Sequence, residues 1–162
     1  MASLSTCLWF DKQAEEAANF YVSLLPDSRV RNVNRSPADY PNGQKGDVLV
    51  VEFTLDGRPF MALNGGPNFK FDEAISMVVT TDGQAETDFY WDALLADGGE
   101  PSMCGWLKDR FGLSWQVTPK QLPRLLGDPD RARAKRAMEA MMKMVKIDIA
   151  ALEAAADSAS PA

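Results

Sequence analysis

The sequence predicts an α+β protein: two β-α-β-β-β modules whose strands build one cupped mixed sheet, followed by a helical C-terminal tail. Two observations carry this. A helix start occurs twice: Asp11-Lys12-Gln13-Ala14-Glu15 returns as Asp82-Gly83-Gln84-Ala85-Glu86, and the same offset of 71 residues takes Phe20 to Trp91 and Leu24 to Leu95. Around each copy apolar residues alternate with period two, and each copy closes on a glycine-containing hairpin, at Asp56-Gly57 and at Phe111-Gly112.

The elements follow in order. Ser5 to Phe10 is a short apolar strand, and Asp11 is the expected N-cap of a helix from Lys12 to Leu25 with Ala14, Ala17, Ala18, Tyr21, Leu24 and Leu25 on one stripe. Ser28 to Asn34 is a polar strand expected at a sheet edge. Residues 35–46 hold two prolines and two glycines and are expected to form a mobile loop. Asp47 to Leu55 and Arg58 to Leu63 are a hairpin, ended by Asn64-Gly65-Gly66-Pro67. Ile75 to Thr80 opens the second module, with Asp82 as cap of a helix over Gly83 to Ala96. Cys104 to Gln116 reads as two short strands around a turn at Arg110-Phe111-Gly112, where Gly112 supplies a positive φ.

After Val117 the pattern turns helical. Pro119 to Leu126 is a short helix, Asp128-Pro129 opens a longer one with Pro129 at its first position, and Asp148 caps a last one through Ala155. Met138, Met141, Met142 and Val145 share one helical stripe. The stripe reads as packing against its own domain or a second subunit, with an adaptable binding groove as the other reading. The modules run over 4–66 and 74–118 within one domain, 1–118. Residues 119–156 form a helical extension, and 157–162 a disordered tail.

Strand alternation separates the core from the cup. Leu8 and Phe10 point to the helix side, leaving Ser5, Cys7 and Trp9 opposite. Leu49, Val51, Phe53 and Leu55 are core, leaving Val48, Val50, Glu52 and Thr54 in the cup. Ile75, Met77 and Val79 are core, leaving Ser76, Val78 and Thr80. Leu113, Trp115 and Val117 are core, leaving Ser114, Gln116 and Thr118. A carboxylate flanked by Val48 and Val50 is costly to bury unless it is paired or used. Burial is expected to raise the pKa of Glu52 and suit it to acid/base work, and an exposed sheet face is the other reading.

Composition excludes several classes. The formal charge of −6 disfavours nucleic acid, whose binders cluster Lys and Arg against phosphate. The basic run from Arg131 to Arg136 is answered by Asp128, Asp130 and Glu139, so a solvated helix face is expected. No apolar run reaches the roughly 20 residues that span a bilayer. Two cysteines and no signal peptide at Met1-Ala2-Ser3-Leu4 point to the cytoplasm. The chain contains no histidine, which removes His-assisted nucleophiles and the commonest ligand of catalytic transition metals. Cys104, near Lys108 and Arg110, reads as a buried structural thiol or as an activated nucleophile without a histidine base. Trp9, Trp106 and Trp115 read as walls of an aromatic-lined site or as core.

Leu8-Trp9-Phe10-Asp11, the segment from Phe60 to Pro67, that from Cys104 to Asp109 with Trp115-Gln116, and Met138 to Met141 with Lys146-Ile147-Asp148 together resemble one family. It is the PhnB-like branch of the vicinal oxygen chelate superfamily, the glyoxalase/bleomycin-resistance/extradiol dioxygenase fold, often labelled 3-demethylubiquinone-9 3-methyltransferase-like. The resemblance implies four metal-ligand places on the inner face, which fall on Ser5, Glu52, Ser76 and Gln116. Two serines and a glutamine beside one carboxylate cannot hold a transition metal tightly, so no metal and no cofactor are expected. The resemblance, with the open strand edges, also implies a homodimer. The expected function is binding of a small molecule in a metal-free cup lined by Ser5, Cys7, Trp9, Ser76, Cys104, Trp106 and Gln116, with Glu52 as the candidate catalytic residue. The alternatives are a metal-independent lyase, isomerase or methyltransferase using Glu52 as acid/base, and a partner-binding module docked through the methionine stripe.

Overall fold

The computed structural model describes residues 1–159, in two compact units divided between Phe71 and Asp72. The first unit contains β1 (Thr6–Phe10), α1 (Ala14–Leu24), β2 (Arg29–Arg35), β3 (Val48–Leu55) and β4 (Arg58–Asn64). Its sheet has the order β1-β4-β3-β2, with β1 parallel to β4 and the other pairs antiparallel. The polar strand β2 lies at an edge, where its row of arginines and asparagines discourages further pairing. Leu8, Phe10, Val51, Phe53, Phe60 and Ala62 are buried under α1, which offers Ala14, Ala17, Ala18 and Tyr21. The small alanines let the helix lie close. Phe53 and Phe60, opposite each other in register, stack at 5.6 Å between centroids, and each buried phenyl contributes about 1.5–3 kcal/mol. The β3–β4 hairpin turns on Asp56 and Gly57, both at positive φ, as a two-residue turn of this hand requires.

One local expectation for this unit is corrected. Asp11 does not cap α1. The N-cap position is Gln13, without a side-chain bond, and the Ala14 N–H instead donates to Asn64 Oδ1 at 2.9 Å. Asn64 Nδ2 donates to the Val48 carbonyl, so one buried amide ties α1 to two strands. The segment 36–47 is tied by its own hydrogen bonds. Ser36 and Gly46 bond across its base, Tyr40 and Gly43 form a bridge, and Asp39 and Asp47 accept the Lys45 and Gln44 N–H groups.

The second unit repeats the topology. β5 (Met77–Thr81), α2 (Gln84–Leu95), β6 (Glu100–Pro101), β7 (Trp106–Lys108) and β8 (Ser114–Pro119) give the order β5-β8-β7-β6, again with the first strand parallel to the last. This is the duplication that the helix starts announce. Val79, Leu107, Leu113, Trp115 and Val117 are buried with Tyr90, Trp91 and Leu94 of α2. Ile75, expected in the core, precedes β5 and is 67% exposed, and Ser114, expected in the cup, is buried. Asp82 pairs with Lys120 rather than capping α2, whose N-cap is Gly83.

Three helices follow: α3 (Gln121–Leu126), α4 (Arg131–Met141) and α5 (Ile149–Asp157). Asp130, not Asp128-Pro129, caps α4, and Asp148 caps α5 as expected. The buried residues of α4 are Ala134 and Ala137; of the expected stripe Met141 packs inward, whereas Met138 and Met142 are 49% exposed and Val145 is exposed as well. Leu122, Leu125, Ala137, Ile147, Leu152 and Ala156 form their own core, with Met141 and Met144 against it. Asp157 ends α5 and pairs with Arg133, so the expected disordered tail does not begin there, and residues 160–162 of it lie outside the described residues. Among the described residues no helix is long and apolar enough to cross a membrane.

The helices are sewn to the second sheet by polar bonds. Gln84 Nε2 donates to the Ile147 carbonyl and Gln84 Oε1 accepts from Ile149 N–H, a two-point clasp. Cys104 and Gly105 N–H donate to the Met144 and Val145 carbonyls at 2.8 Å. Asp88 lies 2.8 Å from Lys146. The Lys146 ammonium, and then the Gln84 amide, hold the Asp88 carboxyl below its ordinary value of 3.8. A depressed carboxylate contributes stability that is complete above the unfolded value and lost as pH falls through the folded one. We therefore expect the Ile147–Ile149 clasp to loosen only below about pH 4. The effect is small, because the two side chains are 38% and 42% exposed and solvent screens them. The Ile149 amide resonance followed down in pH checks this, with Asp88→Asn expected to lack the acid-induced shift.

Candidate functional site

The register places the candidate residues of the first unit in one row. Across β1-β4-β3-β2, Cys7 lies opposite Met61, Met61 opposite Glu52, and Glu52 opposite Asn32. Ser5 and Trp9 flank Cys7 on the same face by alternation. Alternation therefore assigned Cys7, Trp9 and Glu52 to one face. Burial does not follow, since Glu52 is exposed and its recorded partner is Asn32 Nδ2, at 3.4 Å from Oε2. Two residues on either side the strand is flanked by half-buried Val50 and buried Thr54, so the carboxylate stands out of a largely apolar row. The Cys7 thiol is raised by partial desolvation against the sheet, although the residue as a whole is exposed, which makes it a poor nucleophile near neutrality.

The second unit has a corresponding row. Val78 lies opposite Gln116, and Gln116 opposite Trp106, while Gln116 Nε2 donates to Ser76 Oγ at 2.9 Å. Ser76 and Gln116 are thus brought together and Trp106 is beside them, half-buried. Matching the rows by topology gives Cys7 with Val78, Met61 with Gln116, and Glu52 with Trp106. Glu52 and Gln116 therefore do not occupy repeat-related places, although the family resemblance implies both as ligand places. Met61 and Asn32 went unnoticed because only the pairing register shows that they adjoin Glu52.

Cys104 lies apart, in a left-handed turn (φ 61) with its N–H on Met144. Lys108 is paired with Glu73, and the Arg110 guanidinium lies 4.6 Å over the Phe111 ring. Trp115 is core: its indole N–H donates to Asp109 Oδ2 at 2.9 Å. Asp109, 3% exposed, also accepts the Phe111 and Leu113 N–H groups on Oδ1. Between the charged Lys108 and Arg110, Asp109 is the buried organiser of the turn.

The signature segments of the first unit meet in a second knot. Gly65 and Gly66 N–H both donate to the Phe10 carbonyl, Trp9 Nε1 donates to the Gly66 carbonyl at 2.8 Å, and Asn42 Nδ2 to the Gly65 carbonyl. A Cβ on Gly65 would lie 2.4 Å from the Trp9 ring, and one on Gly66 2.4 Å from Asn42. The Trp9 ring also meets Phe69 edge-on at 4.9 Å.

A family model described as 3-demethylubiquinone-9 3-methyltransferase matches residues 2–118. The chain belongs to this family. It is the PhnB-like branch of the vicinal oxygen chelate superfamily. The PhnB protein of Bacillus cereus is 35% identical over 73% of this chain and 99% of its own, with a TM-score of 0.65. Protein PA1353 of Pseudomonas aeruginosa, 21% identical over 74% of this chain and 98% of its own, shares the fold at a TM-score of 0.59. No protein of curated function matches. Helices α3 to α5 lie beyond the family model.

Neither cofactor class associated with the family fits the residues present. A transition metal on the first unit's sheet face would meet Cys7, Met61, Glu52 and Asn32, and one on the second unit's face Val78, Gln116 and Trp106; the first set has one carboxylate, the second none, and neither has an imidazole. Among the described residues no three His, Cys, Asp or Glu side chains gather as a metal site. A nucleotide-type methyl donor bound by a Rossmann loop needs glycines that open a helix. Gly65 and Gly66 end a strand, and the space beside them is filled by Trp9 and Asn42.

Proposed function

We propose that this PhnB-like protein binds a small organic molecule on the exposed sheet face of its first unit, without a metal, and that Glu52 is the principal polar contact. The observation that supports this is the row Cys7-Met61-Glu52-Asn32: an exposed carboxylate between a thioether and an amide, whose one hydrogen bond among the described residues is the long one from Asn32. Ser5 and Trp9 border it on β1. The corresponding face of the second unit, with Ser76, Trp106 and Gln116, is a binding face in its own right in this reading, and Cys104 lies at the turn leading into β7. Lyase or isomerase chemistry with Glu52 as acid/base is the second reading, supported by the exposure of the carboxylate to an incoming substrate.

Exposure makes the test clean. Glu52→Gln removes a charge without opening a cavity, so the melting temperature is expected to hold while ligand affinity falls at least about tenfold, or about 1.4 kcal/mol. A thermal-shift screen over metabolites finds the ligand, and titration of both proteins gives the ratio. Equal affinities would overturn the assignment of Glu52. We also propose a homodimer in a reducing cytoplasm. β1, β5 and β6 end their sheets without the row of arginines that guards the β2 edge, and both cysteines are free. Light scattering at micromolar concentration is expected to give twice the mass of 17.8 kDa, and one chain mass would contradict it.

A further inference from the structure

A cavity of about 400 Å³ lies in the first unit, where the β1–α1 turn, the 36–47 segment and the end of β4 converge. It is bounded by Asp11, Lys12, Tyr40, Asn42, Asp47 and Asn64. The signature knot builds its floor: Asn64 has both amide atoms committed to Ala14 and Val48, and Asn42 is anchored on Gly65. The Tyr40 ring packs over Gly43, where a Cβ would come within 2.1 Å of it. The walls are therefore fixed, while the charges are not spent. Among the described residues Asp11 and Lys12 have no ion pair or hydrogen-bonded side-chain partner, and Asp47 uses only Oδ2, on the Gln44 N–H. Lys12, at φ 66, a conformation that disfavours lysine, lines this cavity.

We propose that this cavity is a second small-molecule site, separate from the Glu52 face, for a basic amino acid. Two carboxylates and one ammonium give the rim a net charge of −1. The complementary ligand carries two cations and one carboxylate: its cationic groups go to Asp11 and Asp47, its carboxylate to Lys12, and the Tyr40 hydroxyl and Asn42 amide supply neutral hydrogen bonds.

The test is a ¹⁵N NMR titration of the full chain with L-arginine, and with L-glutamate as the charge-reversed control. Saturable shifts of the Asn42 and Asn64 side-chain amides with L-arginine, and none with L-glutamate, are expected. Asp11→Asn and Asp47→Asn keep an oxygen acceptor and are expected to weaken binding about tenfold or more each, as loss of a charged hydrogen bond does. Lys12→Gly relieves the left-handed backbone, so it is expected to melt no lower than the wild type yet bind more weakly. Glu52→Gln is expected to leave the arginine response intact, which separates this site from the sheet face. Absence of saturation with L-arginine, an equal response to L-glutamate, or unchanged affinity in the two Asp variants would overturn the proposal.

Discussion

Gly105→Ala is expected to destabilise the protein by about 2–5 kcal/mol. Gly105 has φ 82, where an L-residue costs about 1–2 kcal/mol. The added methyl would also lie 2.8 Å from the Val117 carbonyl oxygen and 3.1 Å from Ile147 Cγ1, and overpacking of this kind costs about 1–3 kcal/mol. The Val117 oxygen belongs to a strand and cannot swing aside. The same glycine donates to Val145 and accepts from Val117, so any shift strains the link between β8 and the C-terminal helices. Thermal unfolding should show a fall of roughly 4–20 °C. Gly112→Ala is the internal control. Gly112 has φ 86 but open space around it, so only the backbone term applies and the loss should stay near about 1–2 kcal/mol. Equal losses at the two positions would show that Gly105 is not packed as described.

Asp109→Ala is expected to cost about 3–5 kcal/mol, measured by denaturant unfolding. The carboxylate is buried and receives the Phe111 and Leu113 amides and the Trp115 indole, and each buried donor deprived of this acceptor costs about 1–3 kcal/mol. Asp109→Asn should cost less, because the amide oxygen still serves the two backbone donors. Its NH₂ then faces the Trp115 N–H, so the tryptophan fluorescence should change even where the fold persists. Unaltered stability in the alanine variant would remove Asp109 from its place as organiser of the turn.

Much of this architecture is legible in the residues, for reasons that are local. The alternation of Leu8 and Phe10 against Cys7 and Trp9 fixes the face of β1, and the repeated helix start fixes the second copy of the topology. The Asp56-Gly57 turn and the left-handed Gly112 follow from turn chemistry. What failed needed tertiary partners. Asn64, from a strand fifty residues away in sequence, caps α1 in place of Asp11. On α4 Ala134 and Ala137 are buried and Met141 packs against the same core, while Met138 of the expected stripe is half exposed, because the partners α3 and α5 that select the face are not visible in the local pattern. Glu52, expected to be buried among valines, is exposed, while Asp109, in a charged tripeptide, is buried. Glu52's neighbours Met61 and Asn32 depend on strand register, which no local pattern reveals.

Native mass spectrometry of the wild-type chain beside Glu52→Gln, both purified without chelator, reads ligand and metal together. The account predicts a bound organic mass on the wild type that Glu52→Gln lacks, with no stoichiometric transition metal on either. About one Zn²⁺, Ni²⁺ or Fe²⁺ per chain, or an organic mass retained equally by Glu52→Gln, would contradict it.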